Sequence, residues 1–97
     1  MEITIQSVNF ETSVSLNEFI NKKIEKLNRF AEIRTAEVQL KIINTSDKAN
    51  KEIGLKVFVG DQEFFASKNA EAYEDAVSQA CEAIERQMKK AKEKNKA

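Results

Sequence analysis

The apolar residues of this chain change period along its length, and those changes restrict the fold more than any single motif. Ile3 and Ile5 alternate with Thr4 and Gln6 at the two-residue period of a strand. Leu16, Phe19, Ile20, Ile24, Leu27 and Phe30 then recur at helical spacing, within an arc of roughly 140°. Alternation returns at Val38, Leu40 and Ile42, and again at Ile53, Leu55, Val57 and Val59. A second helical line runs through Tyr73, Val77, Ala80, Ile84 and Met88. The order is therefore strand, helix, three strands, helix. Short links between the later strands predict an α+β fold, β-α-β-β-β-α, with a mostly antiparallel four-stranded sheet and two helices on one face. At 97 residues the chain is expected to form one domain around one core, residues 1–97, with a basic helix end from about Arg86.

Local signals set the expected boundaries. The first strand spans 2–10, and the change of parity from Ile3 and Ile5 to Val8 and Phe10 suggests a bulge at Gln6-Ser7. Helix one starts near Ser13 or Ser15; Ser15 with Glu18 fits a capping box, and Ser13 also suits a cap. The polar stretch from Asn44 to Lys51 reads as a loop. Gly60-Asp61 joins a strand of about 52–59 to one through Phe64, Phe65 and Ala66. Phe58 and one of Phe64 and Phe65 must face outward, either packing across strands or meeting a partner. Helix two is expected from about Ala70 to Lys92 or beyond.

The residue inventory excludes much chemistry. There is no His, and Cys81 is the single cysteine. The usual zinc sites are thereby excluded, as are Ser-His and Cys-His nucleophiles. The two glycines, Gly54 and Gly60, form no phosphate-cradling loop. Neither catalysis nor a metal or other cofactor is expected, and Cys81 reads as a small core filler. No apolar run approaches the roughly 20 residues of a membrane span, and the start Met1-Glu2-Ile3-Thr4 lacks the pattern of a signal peptide. The expected location is the cytoplasm.

The net charge is zero, but the charges are sorted. From Glu71 to Glu85 there are five acids and no base, whereas Arg86 to Lys96 holds six bases and one acid. On helix one, Lys22, Lys26 and Arg29 share a flank of the apolar stripe, with Lys23 inside its arc. Cations near a helix C-terminus complement the helix dipole and commonly form only a solvated end. If the two sets converge, they make a phosphate-binding surface. With few aromatics to stack on bases, structured RNA suits such a surface better than single strands.

Several segments in order resemble the ribosome hibernation-promoting factors, or ribosome-associated translation inhibitors. They are Ile3-Thr4-Ile5-Gln6; Phe19-Ile20-x-x-Lys23-Ile24-x-Lys26-Leu27; Ala36-Glu37-Val38-x-Leu40-Lys41; Ser46-Asp47-Lys48-x-Asn50-Lys51; Ala76-Val77-x-x-Ala80; and Ala83 through Lys90. The resemblance implies a fold similar to the double-stranded-RNA-binding domain. It also implies a non-enzymatic protein that binds the small ribosomal subunit in starvation or stationary phase. Such a protein occupies the decoding channel and sterically blocks messenger RNA and the A- and P-site transfer RNAs. Carried over by position, the residues contacting ribosomal RNA are Lys22, Lys23, Lys26, Arg29, Arg86, Lys89, Lys90 and Lys92. Ser7 stands where many members carry glycine, and the acids Glu71, Glu74 and Asp75 limit which part of helix two can approach RNA. The chain resembles the short form, without the second domain that pairs ribosomes. It is expected to be monomeric off the ribosome, with no membrane or small-molecule partner. The alternative reading is a protein-interaction module using the outer sheet face around Phe58 and Phe65.

Overall fold

The computed structural model describes residues 1–8, 11–43 and 48–94, with side chains through Lys92. Its elements are β1 (Glu2–Ser7), α1 (Val14–Leu27), β2 (Thr35–Ile42), β3 (Lys51–Val59), β4 (Gln62–Ala70) and α2 (Tyr73–Lys94). One sheet holds the strands in the order β1-β2-β3-β4. The β1–β2 pair is parallel, because α1 carries the chain back between them, and the other two pairs are antiparallel. The sheet is thus mixed, with both helices on one face.

Alternation decides which face is buried. Ala36, Val38 and Leu40 of β2, Ile53, Leu55 and Val57 of β3, and Ala66 and Ala70 of β4 point into one core. Leu16, Ile20, Ile24 and Leu27 of α1 meet them, as do Ala76, Val77, Ala80, Cys81, Ile84 and Met88 of α2. Small residues on both layers let α2 pack over β3 and β4 and against α1. Among the described residues the core contains no polar or charged side chain.

The ends of α1 have distinct causes. Ser13 is the N-cap, with extended backbone (φ −79°, ψ 158°), and its Oγ accepts from Leu16 N–H at 3.0 Å. Ser15 lies inside the first turn, so the Ser15–Glu18 box does not form. After Leu27 the ladder tightens: Asn28, Arg29 and Phe30 N–H groups donate to Glu25, Lys26 and Leu27 carbonyls. Asn28 Oδ1 then accepts from Ile33 N–H at 2.9 Å, and Ile33 enters the core.

Two further expectations are corrected. There is no bulge at Gln6-Ser7, since Glu2 through Ser7 pair without interruption with Thr35 through Leu40. Val8, whose N–H donates to Leu40 O at 2.9 Å, is an exposed apolar residue one place further on; Phe10 lies outside the described residues. Helix two begins at Tyr73 rather than Ala70, because Ala70 still pairs with Lys51 in the sheet. Ile42 keeps strand pairing with Lys51 but is 53% exposed at the end of β2. Much of the expected loop from Asn44 to Lys51, residues 44–47, also lies outside the described residues.

Candidate nucleic-acid interface

On α1, the stripe that buries Ile20 and Ile24 dictates where the cations go. Lys22 and Lys26 are exposed, as is Arg29 in the turn that follows α1, and Lys23 is half-buried at the margin of the core. With Phe19 and Glu25 they border an open concavity of about 600 Å³. The Lys23 ammonium lies 5.5 Å from the centre of the Phe19 ring, one helical turn away. The charge of Lys23 is also felt on the neighbouring helix. Burial pushes the Cys81 thiol of α2 up to about 11, while the positive charge of Lys23 pulls it partly back and Glu82 raises it. Lys23 therefore sits at the seam between the helices.

A second contact crosses the same seam. The Lys89 ammonium of α2 lies 5.1 Å from the centre of the Phe30 ring, in the turn that ends α1. Lys23 is close to Cys81 and Phe30 to Lys89, so a later residue of one helix meets a later residue of the other. The helices run in the same direction, and their cation-rich ends lie side by side. Convergence of the two basic sets follows from that direction.

The structure does not treat all eight expected cations alike. Lys22, Lys23, Lys26 and Arg29 border one concavity on the α1 side, and Lys89 reaches that side of the seam through its contact with Phe30. At roughly 100° per residue, Arg86 and Lys92 project within about 60° of Lys89 on either side, Lys92 nearer α1 and Arg86 on the crest. Lys90 projects about 100° round from Lys89, beyond the crest and on the side of Gln87, whose Nε2 donates to Phe65 O of β4 at 2.8 Å. The acids Glu74 and Asp75 occupy the first turn of α2, where they complement the helix dipole at the other end from the cations. The sequence reading placed Phe19 and Phe30 in the core stripe; both are only partly buried and lie under ammonium groups. The Phe19–Lys23 contact was visible as an i,i+4 spacing. No local signal announces Phe30–Lys89.

The outer sheet face has the opposite character. It carries Glu2, Glu37, Glu52 and Glu63 against Lys41 and Lys56. Both lysines are neutralised across strands, Lys41 by Glu52 at 3.2 Å and Lys56 by Glu63 at 3.3 Å. Among the described residues no such ion pair engages a cation of either helix. Phe65 points outward, 53% exposed, with its ring within van der Waals range of the Cβ position of Gly54. Phe64 points inward against the core. Phe65 thus lies over Gly54 on a face that borders a shallow concavity of about 580 Å³.

Solved structures share this fold. A ribosomal subunit interface protein from Coxiella burnetii superposes with a TM-score of 0.79 at 22% identity, covering 95% of this chain and 98% of that one. The N-terminal domain of Thermus thermophilus Protein Y gives 0.80 at 18% identity, covering 93% and 98%. No curated protein matches the sequence. The family model described as "Sigma 54 modulation protein / S30EA ribosomal protein" matches residues 3–96, and by that match the chain belongs to this family of ribosome-associated factors.

Proposed function

We propose that the chain binds the small ribosomal subunit through the cationic surface of its two helices. There it occupies the decoding channel, excludes messenger RNA and the A- and P-site transfer RNAs by its bulk, and so holds ribosomes inactive in starvation or stationary phase. The observation that carries the reading is the Lys89–Phe30 contact across the helix seam, at 5.1 Å, which supports a single basic surface in place of two separate patches. Lys22, Lys23, Lys26, Arg29, Arg86, Lys89 and Lys92 form this surface, with Lys90 at its far edge. Each cation set against a phosphate releases condensed counterions, so affinity falls steeply with salt. Rigid helices presenting charge suit the backbone of folded RNA, which is recognised by shape and phosphate position more than by base edges. No reacting group is required, since the block is steric, and the family is one of ribosome-associated factors rather than of enzymes.

Sedimentation of the pure protein with small subunits across a salt series, with deacylated transfer RNA as competitor, tests this reading. Co-migration should weaken with salt and with transfer RNA. Absence of co-migration at low salt would overturn it and turn attention to the outer sheet face.

A further inference from the structure

We infer that Phe30, seconded by Phe19, is a positioning residue for RNA binding: its ring holds the Lys89 ammonium over the helix seam before any phosphate arrives. The inference rests on the function proposed above and concerns the same surface. Phe30 lies past the last residue of α1, in a turn tightened by the Asn28, Arg29 and Phe30 N–H bonds and locked by Asn28 Oδ1 on Ile33 N–H. The ring is packed against the core and only partly buried, so its place is set by the fold. The Lys89 ammonium stands 5.1 Å from its centre, and the Lys23 ammonium stands 5.5 Å from that of Phe19.

A lysine side chain free in solvent samples many rotamers and loses that freedom when it settles on a phosphate. A ring face attracts the ammonium through its quadrupole and narrows the rotamers in advance. That reduces the ordering cost of binding, which is the general gain from preorganisation. The contact also joins the two helices, since the ring comes from the end of one and the cation from the other. The two basic sets are thereby held in fixed relation, as recognition of a rigid RNA surface requires. Hydrophobic bulk alone does not supply this effect. Leucine would fill the site but offers no quadrupole, whereas tyrosine keeps it.

The test compares Phe30→Leu and Phe30→Tyr, each in the native and in a Lys89→Met background, by affinity for purified small ribosomal subunits and by thermal melting. Phe30→Leu is expected to weaken binding about threefold, Phe30→Tyr to bind as the unaltered chain does, and Phe30→Leu to add nothing once Lys89 is Met. Equal affinity of Phe30→Leu and the unaltered chain would overturn the inference, as would the same loss with and without Lys89, which marks a merely structural role. If the Leu variant melts too low to assay, failure of Phe30→Leu to move the Lys89 side-chain proton resonances, measured at low temperature, would overturn it equally. Failure of the unaltered chain to bind subunits would instead remove the function proposed above, and this inference with it.

Discussion

At the scale of single residues, the seam between the helices gathers most of the chemistry. Cys81 is 7% exposed, and burial raises its thiol to about 11. The folded form therefore keeps its proton where the unfolded chain, near the ordinary value of 9.0, would lose it. Because the native state then binds more protons than the unfolded one, stability falls as pH rises from about 9 toward 11. Denaturant melts of the unaltered chain and Cys81→Ala across that window should show the unaltered chain losing more, by on the order of 2 kcal/mol. A parallel decline in both would show that the thiol does not contribute. Lys23 illustrates the limit of reading residues singly. Its place inside the apolar arc of helix one marks it as unusual, but its electrostatic influence on the α2 thiol depends on the neighbouring helix.

At the scale of elements, most of the fold was legible because each segment carries its own periodicity. Ile53, Leu55 and Val57 alternate in sequence and are buried together, as alternation requires of a strand covered on one face. The hairpin turn was equally plain. Gly60 adopts φ +57° between the paired residues Val59 and Gln62, a left-handed conformation that side chains disfavour. Its Cβ position meets nothing within 4 Å, so the penalty of substitution lies in the backbone alone. Gly60→Val should lower stability by about 1–2 kcal/mol in urea titration, and Gly60→Asn should cost clearly less. Boundaries were less legible. Ala70 has a helical neighbour pattern in sequence, yet its pairing with Lys51 keeps it in β4. Ser15 had the better local capping signature, yet Ser13 caps α1. For Ala70 a pairing distant in the chain decided between two locally acceptable states, and for the cap it was the hydrogen bond of Ser13 Oγ with Leu16 N–H.

For the molecule as a whole, charge is divided by position, cationic toward the C-terminal ends of the two helices and net acidic on the outer sheet. Lys89 and Lys90 are adjacent and chemically identical, but Lys89 stands over Phe30 at the seam, whereas the helical turn carries Lys90 about 100° round toward the side of Gln87. If the chain binds small subunits as proposed, Lys89→Glu should weaken that binding several-fold more than Lys90→Glu. It should also lower the salt slope by about one, as expected when one phosphate contact is lost. Equal effects of the two changes would mean that the crest of α2, rather than the seam, faces RNA.

What the sequence determined by itself was the set of elements, the buried stripe of each and the identity of the cations, because hydrophobic period and charge are written locally along a chain. Tertiary structure decided that the two helices run in the same direction and that their basic ends meet across Phe30 and Lys89. Those relations join residues far apart in sequence. They arise from which helix face packs on the sheet, and no local pattern records that.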